Sequence, residues 1–331
     1  MSHVRRFRGV YPVLYAFWGR DGRLDEGAMR AQVEHCLAAG AHGVTMLGLV
    51  TEVLRMDTAE RRSAMAMVGA AVGGRVPYAV TIAERDADGQ VAFARAARDA
   101  GADWVVLQPP PGKGLDDAAL TRHFGSIADR LDLPCAIQNN PLNLDSALSP
   151  DGLVRLVRAH GNIRLLKAEG WSVEIARVLA ALGNAVDAFG GHGGLEFIGL
   201  MRSGAAGLIP APDVLALQVA MFQALTSGDP ARAAVAERAH LTLLPLVVFM
   251  TTGGIAAMHC YGKRVMARRI GLREVLDRPG GMEPNAFGLA EADRMIGAVM
   301  EQEAALIREM RAEKIAPLPQ TPPEDSRPLD T

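Results

Sequence analysis

Lys167 closes the largely apolar run Ile163-Arg164-Leu165-Leu166, and Glu169 follows two residues later. Lysine is almost never buried without a reason. An amine held among apolar walls loses solvation for its charged form, which frees it as a nucleophile able to bond a ketone carbon as an imine. The same position also suits a lysine that snorkels to a rim or pairs with Glu169. Other polar residues end apolar runs in the same way: Gly48 to Glu52, Gln108, and Gln138 to Asn140. Thr51 and the N–H groups of its loop are candidates for holding a carboxylate, because the loop leads toward a helix N-terminus. Hydrogen bonding within the loop is the plainer role. Glu52 and Glu169 are the acid/base candidates, with a buried structural carboxylate and a rim ion pair as the alternatives. Gln138 has no titratable proton and would orient a water or a substrate hydroxyl. Asn139 and Asn140 also fit a turn before Pro141. The run Gly190-Gly191-His192-Gly193-Gly194 lacks the Lys and Ser/Thr of a phosphate loop. It reads as a tight turn that brings the Gly191 backbone close to a small molecule, with His192 touching a distal hydroxyl. The remaining histidines show no metal-ligand spacing, and no nucleotide or flavin fingerprint is present, so neither metal nor cofactor is expected.

These residues need a scaffold that gathers the ends of several strands. Eight short runs rich in Val, Ile, Leu or Ala occupy residues 9–17, 43–47, 78–82, 104–108, 134–138, 163–167, 185–189 and 207–209, as expected for strands buried on both faces. Amphipathic helical stretches lie between them. Three helix exits share a Gly-Ala turn, at Gly40-Ala41, Gly101-Ala102 and Gly204-Ala205. Before the second helix, Thr58 is followed three residues later by Arg61 rather than Glu or Gln, a partial start signal. Repeated units of about 30 residues indicate a parallel sheet, and eight of them by residue 226 predict a closed (β/α)8 TIM barrel. A doubly wound sheet would need a Gly-rich phosphate turn after its first strand, where this chain has Trp18-Gly19-Arg20-Asp21. Residues 230–250, 254–270 and 289–312 read as three helices with no strand between them. The organisation is therefore a barrel over 1–226, a C-terminal helical extension over 227–312, and a Pro-rich, charged tail over 313–331, expected to be disordered.

With 331 residues, 49% hydrophobic and 22% charged, the chain can bury a large core. A barrel of about 250 residues is one unit. The formal net charge of −2 argues against nucleic acid, which needs a clustered basic excess. No run reaches the roughly 18 apolar residues of a membrane span, and the basic N-terminus leads into no apolar signal core. Cys36, Cys135 and Cys260 are odd in number and far apart, fitting reduced, buried thiols in a cytoplasmic protein.

Three motifs, in order, resemble the dihydrodipicolinate synthase / N-acetylneuraminate lyase superfamily of Schiff-base aldolases and dehydratases. They are Gly48-Leu49-Val50-Thr51-Glu52 after the second strand, Ile137-Gln138-Asn139-Asn140-Pro141 after the fifth, and Leu166-Lys167-Ala168-Glu169-Gly170 on the sixth. The resemblance spans roughly residues 8–312, helical extension included. It implies Lys167 as the imine-forming residue, a small 2-keto acid as substrate, no cofactor beyond that covalent imine, and a homo-oligomer, dimer or tetramer. The departures carry information too. The family's two loop threonines are Leu49 and Val50 here, and its proton-shuttling Tyr is Gln138. The loop after the fourth strand reads Pro109-Pro110-Pro111-Gly112, without the Tyr that crosses the dimer interface in dihydrodipicolinate synthase. The Arg that follows the fifth-strand Pro there is absent from Leu142-Asn143-Leu144. An authentic dihydrodipicolinate synthase is therefore not expected. The 2-keto-3-deoxy-L-arabinonate dehydratases are similar in these same departures: Gln138, Thr51-Glu52 and Lys167-Ala168-Glu169. Three readings follow: dehydration of a 2-keto-3-deoxy sugar acid, a pyruvate-dependent aldolase, and a non-catalytic binding barrel whose site has decayed.

Overall fold

The computed structural model describes residues 6–312; the tail expected over 313–331 lies outside them. Eight parallel strands run β1 Gly9–Val10, β2 Val44–Met46, β3 Tyr78–Ile82, β4 Trp104–Leu107, β5 Cys135–Asn139, β6 Ile163–Ala168, β7 Asp187–Gly190 and β8 Gly207–Leu208. Their spatial order is β1-β8-β7-β6-β5-β4-β3-β2. Beyond the short β1, a parallel bridge between Val13 and Thr45 closes the ring, fixed by Thr45 N donating to Pro12 O at 2.8 Å and Leu14 N to Thr45 O at 3.0 Å. Strand side chains alternate between the barrel interior and the helix layer. The interior set includes Tyr11, Val13, Ala79, Trp104, Val106, Ala136, Leu165, Phe189 and Ile209. Trp104 stacks on Phe189 with centroids 5.9 Å apart, and Tyr11 sets its edge against both. This plug fills the barrel below the level of Lys167, which follows Leu165 by two and so faces the same way.

The helices are α1 Glu26–Ala38, α2 Thr58–Val72, α3 Ala87–Asp99, α4 Asp117–Ala128, α5 Pro150–Ala159, α6 Ser172–Leu182, α7 Phe197–Arg202 and α8 Leu215–Thr226, then α9 Pro230–Thr252, α10 Gly254–Ala257, α11 Lys263–Arg269 and α12 Ala286–Arg311. The start of α2 differs from the sequence expectation. Its cap is Asp57, whose side chain accepts from Glu60 N while Glu60 answers to the Asp57 N–H, a complete capping box one residue earlier than Thr58. The expected second helix of the extension is split: α10 and α11 are joined through a π turn, Met258–Gly262. By length and composition α9 could cross a membrane, although Arg232, Glu237, Arg238 and His240 interrupt it and it holds no continuous apolar run of the expected membrane-span length. In the fold it packs against α8 and α12, burying Val235, Ala239, Leu243 and Leu246 among others, as the core helix of the extension. All three cysteines are free and buried.

Candidate active site

At the C-terminal ends of the strands, where barrel active sites form, a cavity is lined by Lys167, Glu169, Asn140, Asn143 and His192 and by Tyr15 and Asp213. Val13 and Ile209 form its base. Leu246, Val247 and Met250 of α9 with Ile255 and Met258 roof it, so the extension completes the site.

Lys167 is 5% exposed and donates no hydrogen bond to the protein among the described residues, which leaves its donors to whatever enters. Its surroundings are not purely apolar: Nζ lies 3.5 Å from Glu169 Oε2. Glu169 is held from three sides. Gln138 Nε2 donates to Oε2 at 2.5 Å and Asn140 Nδ2 at 3.0 Å. Gln138 is itself oriented by Gln108, whose Nε2 donates to Gln138 Oε1 at 2.8 Å. Glu169 Oε1 accepts nothing among the described residues, and a Cβ on Gly191 would lie 2.2 Å from it; only glycine admits this approach. Burial pushes the Glu169 carboxyl up, but Lys167, His192 and the two amide donors outweigh it and hold it below the ordinary range. A carboxylate stabilised as the anion, with one oxygen uncommitted, is a base beside the amine.

His192 reaches the cavity from the Gly-rich turn, at φ 49°, with Nε2 3.2 Å from Asn140 Oδ1. Gln138 does not line the cavity; it acts on Glu169. Asn139 braces its own loop, exchanging hydrogen bonds with the Leu148 backbone at 3.0 and 2.7 Å. Gly48 opens a tight 3-10 turn, Leu49–Thr51, with extended backbone. Thr51 is fully buried and spends its hydroxyl on Leu14 O at 2.7 Å, so it is Leu49 and Val50 that reach the cavity wall.

The structure keeps Glu52 away from the cavity. Its backbone is left-handed, φ 62°, and its carboxylate receives Lys263 Nζ at 2.5 Å, Trp18 Nε1 at 3.2 Å and Arg55 Nη1 at 3.2 Å. Lys263, on α11, is 1% exposed, so this pair ties the extension to the loop after β2. Sequence reasoning missed Tyr15 and Asp213. Tyr15 sits in an apolar run and reads as core, and Asp213 sits between Pro212 and Val214 as an ordinary turn residue would. It overlooked Asn143 too, and read Asn140 only as turn chemistry. Among the described residues no cluster of His, Cys, Asp or Glu could hold a metal ion.

A closed parallel barrel with a cavity lysine on its sixth strand and a helical extension over the mouth defines the class. Residues 6–265 match the dihydrodipicolinate synthetase family, and the chain belongs to it; members are lyases and aldolases acting on keto acids. A 4-hydroxy-tetrahydrodipicolinate synthase of Methanoculleus marisnigri is 27% identical over 255 residues, 75% of this chain and 86% of that one. A protein of Escherichia coli K12 named probable 2-dehydro-3-deoxy-D-pentonate aldolase YjhH is 28% identical over 269 residues, 78% of this chain and 89% of that one. Among solved structures, the 4-hydroxy-tetrahydrodipicolinate synthase of Methylacidiphilum fumariolicum SolV superposes with a TM-score of 0.82 at 19% identity, covering 91% of this chain and 98% of that one. YagE of Escherichia coli K12, solved in complex with pyruvate, does so at 0.80 and 21%, covering 89% and 99%.

Proposed function

We propose that this enzyme is a Schiff-base lyase that removes water from a 2-keto-3-deoxy sugar acid. The observation that carries it is the pair of Lys167 and Glu169: a buried amine that donates no hydrogen bond among the described residues and, 3.5 Å away, a carboxylate held in its ionised form. Lys167 adds to the C2 carbonyl and water leaves, giving a protonated imine. The imine draws electrons from C3, and Glu169 Oε1 takes the C3 proton to give an enamine. The hydroxyl on C4 then departs as water. The substrate carboxylate lies against the main-chain N–H groups of Leu49 and Val50, since that of Thr51 donates to Gly48 O at 2.9 Å; the turn offers the cavity no hydroxyl.

Cleavage between C3 and C4 would instead need a base on the C4 hydroxyl. Gln138 stands at the position of the family's shuttling Tyr, has no titratable proton, and is clamped between Gln108 and Glu169. That favours dehydration and speaks against lysine-pathway condensation. The second reading, an aldolase on the same substrates, is favoured by the name of the Escherichia coli relative. Incubation with D- and L-2-keto-3-deoxypentonate separates them. Dehydration yields a single dicarbonyl acid and no pyruvate; pyruvate plus an aldehyde establishes cleavage. The enzyme names of the relatives and the intact lysine–carboxylate pair set the decayed-barrel reading aside. A homo-oligomer, dimer or tetramer, belongs to the proposal and is read by light scattering.

A further inference from the structure

Tyr15 and Asp213 line the same cavity as Glu169, from other strand ends. Asp213 follows β8 and Tyr15 follows β1, so on the ring they stand two and three strands from Lys167 on β6. Tyr15 Oη donates to Asp213 Oδ2 at 3.0 Å, while Oδ1, equally buried, has no hydrogen-bond partner among the described residues. A buried, unpaired carboxyl oxygen in a cavity wall calls for an explanation, and a ligand hydroxyl is one. The arrangement around the pair holds it in place. The Tyr15 amide donates to Gln32 Oε1 at 2.8 Å, and a Cβ on Gly262 would lie 2.2 Å from the Tyr15 hydroxyl, so the π turn of the extension leaves room for this one group.

We propose that Asp213, oriented by Tyr15, is the acid that protonates the departing C4 oxygen, and thus a catalytic residue of the dehydration. This rests on the Schiff-base function proposed above. Glu169 has taken the C3 proton and the electron pair of that bond lies in the enamine. As the nitrogen lone pair re-forms the C=N bond, a C3=C4 double bond forms and the C4–O bond breaks with its electrons on oxygen. The O–H of Asp213 supplies the proton that completes water. Asp213 is left as a carboxylate and Glu169 as an acid, and both recover by exchange with solvent after product leaves.

The surroundings divide the two carboxyls between these roles. Burial pushes Asp213 up to about 7, with the Tyr15 hydrogen bond and Arg269 pulling less strongly the other way. Arg269 gives its Nε to the Asp213 backbone oxygen and its terminal nitrogens to Glu303, so its charge is already answered. From α1, Cys36 faces the group, with its thiol pushed up by burial and by Asp213. One carboxyl kept protonated and one kept ionised in the same cavity is the division that acid/base catalysis needs.

The test compares Asp213→Asn with wild type on a 2-keto-3-deoxypentonate and on its 4-deoxy-4-fluoro analogue, whose fluoride leaves without a proton. The variant is expected to lose about 100-fold or more on the hydroxyl substrate and far less on the fluoride. Equal losses on both overturn the proposal. If the variant does not fold, Tyr15→Phe decides. Removing a hydrogen bond that lowers the Asp213 pKa should move the alkaline limb of the dehydration rate to higher pH, and a limb that stays or moves down overturns it. Failure of borohydride to trap pyruvate on wild-type Lys167 sinks the Schiff-base function and this assignment with it. Trapping together with equal losses sinks this assignment alone.

Discussion

Glu169 is placed to move one proton, and its replacement should expose that role. Glu169→Gln keeps the shape and the amide partners but removes the base. Turnover should fall by about 10²–10⁴, while borohydride still traps a keto acid on Lys167; loss of trapping in step with turnover would assign Glu169 to imine formation instead. In the proposed mechanism Gln138 positions Glu169, to which its amide donates. Its amide favours the ionised form of Glu169, so Gln138→Leu should raise the Glu169 pKa and shift the acid limb of the rate profile to higher pH, with KM changing less than kcat. An unchanged limb would mean the hydrogen bond does not matter to the base. Lys167 was legible in the sequence because a charge at the end of a buried strand is anomalous on its own. The links that give Glu169 its state were not, because Gln138 and Asn140 meet it, with Gln108 orienting Gln138, across three strand ends and no spacing encodes that. Asp213 was hidden for the same reason, its partner being 198 positions away.

At the level of elements, the loop after β2 is held by a cap on one side and an ion pair on the other. Asp57→Ala removes the capping box of α2 and should cost about 1 kcal/mol by denaturant titration; a neutral result would show the box to be redundant with Arg278, which also pairs with Glu60. The Glu52–Lys263 pair is a different matter, with both side chains 1% exposed. Lys263→Met leaves Glu52 buried and short of a cation, at a cost of about 3–5 kcal/mol. Adding Glu52→Gln should recover part of that loss, and a double variant no more stable than the single one would contradict the pairing. All eight strands and the order of the helices were legible from alternating apolar runs and Gly-Ala exits. Lys263 was not, since Gly262-Lys263-Arg264 reads as a solvated face until Glu52, 211 positions away, is brought beside it. The break between α10 and α11 was equally hidden: the apolar pattern continues through the π turn.

Over the whole molecule, the buried Asp213 carboxyl makes stability depend on pH. The folded chain holds the Asp213 proton up to about 7, whereas an unfolded chain releases it near 3.8. Unfolding is therefore favoured increasingly as pH rises between these values, by about 4 kcal/mol at neutral pH, and no further above it. Asp213→Asn has no proton to lose, so its stability relative to wild type should climb from about pH 4 to 7 and then level off; a gap that does not change with pH would show that the carboxyl is not raised. The extension bears on the same cavity through its roof. The sequence indicated helices packed on the barrel, but not that α9 and α10 face Lys167, because their apolar residues have the same composition whether they line a cavity or a core. The proposed catalysis turns on a covalent bond between the Lys167 nitrogen and a 2-keto acid. Reducing the intact enzyme with borohydride in the presence of pyruvate, then mapping the peptides by mass spectrometry, tests it most directly: one pyruvate-derived adduct on Lys167 is the predicted result, and an unmodified Lys167, or an adduct on another lysine, contradicts it.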